Sequence, residues 1–169
     1  MKAQHFLFSL LLTTLAIAYI SCKKEASTST LQINLTDAPA NYSEVNIDIK
    51  EIRVNFSDDS SGWISLPTTA KVYNLLALQN NVQVLLATGT VPTGMLKEIR
   101  FVLGSNNTVV DSTISYPLTI PSGSESGLKI KVDMNLNAPI ETLVIDFDAA
   151  LSVTKDSGSY RLSPVLKVK

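Results

Sequence analysis

From residue 31 onward the chain alternates apolar and polar residues at period two, in one short run after another, the pattern of half-buried β-strands. Leu31, Ile33 and Leu35 mark the first run. Leu128, Ile130, Val132, Met134 and Leu136 alternate with Lys129, Lys131, Asp133 and Asn135, which describes a strand with one wet face. Ile114, Tyr116, Leu118 and Ile120 repeat the pattern, and Pro117 among them requires an edge position or an amide side open to water. Ile99, Phe101 and Leu103 are expected to pair, as core residues of two further strands, with Leu143, Ile145 and Phe147. A last strand is expected over residues 165–168. Residues 44–56 break phase. Val45, Ile47 and Ile49 are apolar at odd positions, whereas Ile52, Val54 and Phe56 are apolar at even ones. One regular strand cannot turn both sets to the same face. The break predicts a β-bulge or sharp bend at Lys50 and Glu51, the alternative being two strands in opposite sheets.

Turn signals separate the runs: Asp37-Ala38-Pro39, Ser61-Gly62, Pro92-Thr93-Gly94, Gly104-Ser105-Asn106-Asn107, Pro121-Ser122-Gly123 and Ser157-Gly158. Helical spacing occurs only in residues 73–86, through Leu75, Leu78, Val82 and Leu85, and its second half suits an extended chain equally well. The expected fold is all-β: a single antiparallel β-sandwich, immunoglobulin-like or transthyretin-like, with at most one short helix.

The N-terminal end follows another rule. Residues 6–20 are largely apolar and follow the positive charge of Lys2. That run is short for a membrane-spanning helix, which needs roughly 20 residues, and fits the core of a secretory signal. Ser21 and Cys22 follow it, and Lys23, Lys24 and Glu25 then turn the chain polar. The arrangement resembles the signal peptide and lipobox of a bacterial lipoprotein, with Tyr19 where leucine is usual. It implies a signal peptide over 1–21, cleavage before Cys22, and acyl chains such as palmitate on that residue. The chain would then be anchored to a membrane rather than spanning it. Residues 22–30 read as the lipidated cysteine and a flexible tether, and 31–169 as the sandwich domain. The expected location is across the inner membrane, at the outer membrane or cell surface.

Cleavage there leaves 148 of the 169 residues, enough for one domain with a real core. It removes one of the 14 basic residues and none of the 15 acidic ones, so 13 minus 15 gives a net charge of −2. No basic stripe is present to attract nucleic acid. The only histidine, His5, leaves with the signal, and Cys22 is the only cysteine. A Ser-His-Asp triad, a Cys-His pair and a histidine-ligated zinc are therefore excluded from the domain. Paired carboxylates and a Ser-Lys pair remain possible for catalysis.

Several short segments, taken in order, carry a resemblance. They are Leu35-Thr36-Asp37-Ala38-Pro39, Glu44-Val45-Asn46-Ile47, Gly62-Trp63-Ile64-Ser65-Leu66, Tyr73-Asn74-Leu75-Leu76, Pro92-Thr93-Gly94 with Ile99-Arg100-Phe101-Val102-Leu103, Tyr116-Pro117-Leu118-Thr119, Ser126-Gly127-Leu128-Lys129 and Asp146-Phe147-Asp148-Ala149. Together they resemble the bacterial lipoprotein family built on the domain of unknown function numbered 4382. The resemblance implies a surface-anchored, β-rich domain and carries no activity with it.

Candidate site residues are few. Asp146 and Asp148 flank Phe147, so on a strand both carboxylates leave one face roughly 7 Å apart. Asp37 lies in a turn that could approach them. Three carboxylates make a candidate calcium site, though such an ion needs about 6–8 oxygens; the plainer reading is solvated or lysine-paired aspartates and a self-capped turn. Trp63 is either a core residue, which its place at the start of a strand favours, or a stacking platform for sugar or protein. The serine-rich loop at 122–127 reads as a connection, since it lacks the lysine of a phosphate cradle. The functional expectation is an envelope-anchored lipoprotein with no enzymatic activity, a binding or structural module serving adhesion or glycan capture. Its partners would be the membrane, through lipid, and a glycan or envelope protein. The alternatives are a carboxylate-only hydrolase and an accessory subunit of an envelope uptake complex. A single acyl chain holds weakly and several hold durably. Replacing Cys22 with alanine is accordingly expected to move the protein from the membrane to the soluble fraction, whereas equal partitioning of variant and wild type would remove the anchor.

Overall fold

The computed structural model describes residues 27–59, 61–121 and 127–169, so the expected signal peptide over 1–21 and Cys22 lie outside the described part. Among the described residues, thirteen strands form two facing sheets. In the first, β13 (Leu166–Val168), β10 (Ile140–Phe147), β1 (Thr28–Thr36) and β5 (Val84–Pro92) lie side by side in that order. The second runs β11 (Val153–Asp156), β12 (Ser159–Leu162), β8 (Ile114–Thr119), β7 (Thr108–Asp111), β2 (Glu44–Asn55), β6 (Gly94–Leu103) and β9 (Leu128–Leu136). Two short strands, β3 (Trp63–Leu66) and β4 (Lys71–Asn74), also pair with β2. Among the described residues, helix is confined to a 3-10 turn, Leu75–Leu78, and a single α-turn, α1 (Ala149–Ser152). The second half of the 73–86 segment is therefore extended, as β5.

The core lies between the sheets and follows the alternation. Leu31, Ile33 and Leu35 of β1 and Leu143, Ile145 and Phe147 of β10 come from the first sheet. Val45, Ile47, Ile49, Ile52 and Val54 of β2, with Ile99 and Phe101 of β6, come from the second. All are buried, and each such side chain contributes about 1.5–3 kcal/mol. The pairing expected between the 99–103 and 143–147 runs does not occur. They lie in opposite sheets and share a core without sharing a ladder.

Strand β2 organises the second sheet. Val54 pairs with Ile99 of β6 and with Ile64 of β3. Ile49 pairs with Leu103 of β6 and Lys71 of β4. Asn46 pairs with Thr108 of β7 and Asn74 of β4. One edge of β2 thus carries β6 and β7 end to end, and the other carries β3 and β4. The predicted bulge is present: Ile49 opposes Leu103 and Glu51 opposes Val102, leaving Lys50 without a partner residue on β6. That extra residue restores the phase, so Val45, Ile47 and Ile49 before it and Ile52 and Val54 after it all reach the core. The bend is fastened by Asp48, just before it. The Asp48 carboxylate pairs with Lys50 Nζ at 2.9 Å and accepts from the Asn106 amide at 3.3 Å. The Asp48 amide donates to Asn107 Oδ1 at 2.9 Å, and its carbonyl accepts from the Gly104 amide at 2.7 Å.

Two expectations need adjustment. The sandwich is not wholly antiparallel, because β1 runs parallel to β10 and β12 parallel to β8. β1 begins at Thr28 rather than residue 31: Thr28, Ser29 and Thr30, placed in the tether by their polarity, add to the edge of β5 opposite Pro92, Val91 and Thr90. Pro117 is exposed and pairs across to Thr108 on the stretch of β8 that lies at an edge, as expected; beyond it Leu118 and Thr119 pair with β12. The last strand covers Leu166–Val168, as expected to within one residue.

Gly104 is required by close approach. A Cβ there would collide with the Asp48 carboxylate and the Lys50 side chain. Gly104→Ala is expected to destabilise the domain by about 1–3 kcal/mol in urea unfolding, and a variant as stable as wild type would show that this loop does not fasten the bulge.

Candidate functional site

Parallel pairing of β1 with β10 places the ends of both strands at one end of the first sheet, with Thr36 opposite Asp146. Asp37 follows β1, and Asp148 follows β10. The three aspartates singled out in the sequence therefore come together although 109 positions separate Asp37 from Asp146. All three are buried. Their placement differs from the expected strand pair, because β10 ends at Phe147 and Asp148 is the N-cap of α1. Asp148 Oδ1 accepts from the Leu151 amide at 3.0 Å, and Oδ2 lies 3.6 Å from Lys167 Nζ. Asp146 Oδ2 pairs with Lys169 Nζ at 3.1 Å. Asp37 Oδ1 also reaches beyond its own turn, accepting from the Ala149 amide of α1 at 2.9 Å.

The second oxygen of Asp37 and Oδ1 of Asp146 are shielded and lack a donor among the described residues. Burial pushes the Asp37 carboxyl up to about 6, helped by the negative charges of Asp146 and Asp148 and opposed by the Ala149 amide. Among the described residues no three acidic or other metal-binding groups are arranged to hold an ion. The cluster's evident work is structural: it joins the β1 end, the β10 end and α1, and two lysines near the C-terminus cover it.

Trp63 occupies a different region. On β3, Ile64 and Leu66 face the core, so Trp63 and Ser65 point to the outer face of the second sheet. Trp63 is half-buried there rather than a core residue. The Arg100 guanidinium lies 4.0 Å from the centre of its ring, and Lys129 Nζ lies 5.9 Å away. Cross-strand register explains the gathering. Ser65 opposes Arg53, Arg53 opposes Arg100, and Arg100 opposes Lys129, so three cations stand in one row. The neighbouring row is Trp63, Asn55, Glu98 and Lys131. Glu51 accepts from the Arg53 guanidinium at 2.6 Å and from Ser65 Oγ at 2.5 Å, which holds the Glu51 carboxyl below its usual range. Beside Glu98 and Lys131 opens a polar cleft of about 130 Å³ lined also by Ser57, Asp58, Lys97 and Asp133. Asp133 reaches it through a left-handed backbone, φ 48°, where the β6–β9 register slips.

The row of cations was not anticipated. Each residue is an ordinary polar position of an alternating strand, and only the register between strands sets them side by side. The outward direction of Trp63 was readable from Ile64 and Leu66.

Asp37 yields a test with a definite sign. Its folded-state carboxyl holds a proton more tightly than an unfolded aspartate, so its contribution to stability rises as pH falls from about 6 toward 3.8 and is unfavourable above that window. An amide keeps the acceptor for Ala149 and removes the charge. Asp37→Asn is expected to stabilise the domain at about pH 7.5 by about 1–3 kcal/mol, with the advantage shrinking at about pH 4.5; thermal melts of both proteins across pH check this, and an advantage independent of pH would refute it.

No helix among the described residues is long and apolar enough to cross a membrane. No curated protein and no solved structure gives a significant match to the chain. A family model does match, over residues 28–164, from the first strand to just past β12. This chain belongs to the family described as domain of unknown function DUF4382.

Proposed function

We propose that this chain is an envelope lipoprotein, cleaved before Cys22 and held to the membrane by acyl chains on that residue, whose sandwich is a non-enzymatic module for glycan capture or adhesion. The observation that supports it is Trp63, a large ring on the open face of a sheet with an arginine and a lysine against it. A ring so placed offers flat apolar area and polar neighbours at once, the combination that sugar and protein interfaces use. The carboxylate cluster supports catalysis poorly. Its aspartates are 2–8% exposed and tied to backbone amides and lysines, so a substrate has no path to them.

Loss of the ring should therefore affect binding and spare the fold, since Ile64 and Leu66 of the same strand carry its core contacts. Trp63→Ala is expected to abolish binding of the purified protein to an envelope-glycan array while lowering stability by no more than about 1 kcal/mol. Undiminished binding by that variant would remove Trp63 from the module.

A further inference from the structure

The row Arg53, Arg100 and Lys129 is unusual in its energetics. Like charges directly opposite one another on neighbouring strands destabilise a sheet, and here two such pairs adjoin, Arg53 with Arg100 and Arg100 with Lys129. Glu51 neutralises the first cation only. Strands lie about 4.8 Å apart, so the row spans about 10 Å, with Lys131 one step along β9. A surface row of cations with a carboxylate at one end only is complementary to a polymer that supplies carboxylate oxygens at regular intervals.

The geometry points to a carboxylate-bearing polysaccharide, of the polyuronate class, lying across the strands of the second sheet on Trp63, Arg100 and Lys129. This deepens the glycan-capture reading and rests on it. Arginine's planar fork receives a carboxylate through two hydrogen bonds, and the Trp63 ring lies 4.0 Å from the centre of that fork. Lys129 is exposed and takes the next carboxylate along the row. The neighbouring row does not extend the site, since Glu98 stands opposite Lys131 and Asp58 and Asp133 line the cleft beside them. An anionic bilayer fits the same charge less well, because the large exposed apolar side chains Val72, Val82, Leu85, Ile114, Ile140, Leu151 and Val168 all lie on segments other than β2, β3, β6 and β9, leaving Met95 alone to insert.

The test uses the purified full chain with a chelator present, affinity electrophoresis in gels containing polygalacturonate or neutral dextran, and flotation with phosphatidylglycerol vesicles. Retardation by polygalacturonate, none by dextran, and weakening of the former by added salt are expected. Arg100→Gln and Lys129→Ala are each expected to weaken binding about tenfold, the exposed Lys129 variant keeping the wild-type melting temperature. Trp63 is the only tryptophan, so its fluorescence reports the site directly; polygalacturonate should shield it from iodide. Retardation by dextran that depends on Trp63, equal to that by polygalacturonate, would overturn the polyuronate assignment while leaving the glycan-capture reading standing. Retardation by neither polymer would overturn both. Vesicle binding without polygalacturonate binding, or full polygalacturonate affinity in Lys129→Ala, would also overturn the proposal.

Discussion

Alternation at period two is the constraint on which this structure turns. β2 is long, borders four other strands and must face the core along its length. Its sequence changes parity halfway. One unpaired residue at Lys50 reconciles the two halves, and the cost of interrupting the ladder is offset by local bonds from Asp48 to the Gly104–Asn107 loop. That loop is also the link between β6 and β7, so the bend in β2 and the break between its two partners on one edge are a single event. A sheet of nine strands bends there instead of splitting.

The first sheet depends on a different device. Parallel pairing of β1 and β10 sends the segments after both strands to the same end of the sandwich. Three aspartates from two distant motifs meet there, and backbone amides and lysines stabilise the cluster. Burial of one carboxyl beside two others is unfavourable at neutral pH. The return is positional: Asp37 and Asp148 both bind α1 amides, so the chain leaving β10 is held against the chain leaving β1.

Much of this was legible in the residues. The strands, the bulge and the core positions follow from local parity, which is a property of consecutive side chains. Partner choice is not local. Nothing in residues 31–35 and 143–147 says that their strands run parallel, because a fully apolar inner face looks the same in either direction. Thr28 to Thr30 read as tether because an edge of β5 supplies their pairing, and that edge is far away in sequence. Trp63 shows both limits. Its outward direction is encoded by two neighbours, whereas the arginine and lysine beside it arrive through the register of β2, β6 and β9.

One mechanical consequence follows from where the domain begins. β1 is the first element after the N-terminal segment, and it lies inside its sheet with β10 on one side and β5 on the other. Tension drawn through residue 27 acts along the length of that strand. It loads both flanking ladders in shear at the same moment, so their bonds resist together and none is peeled singly. A domain tugged from this end while its opposite face grips a polymer would hold like a lap joint, with its strongest direction aligned with the pull.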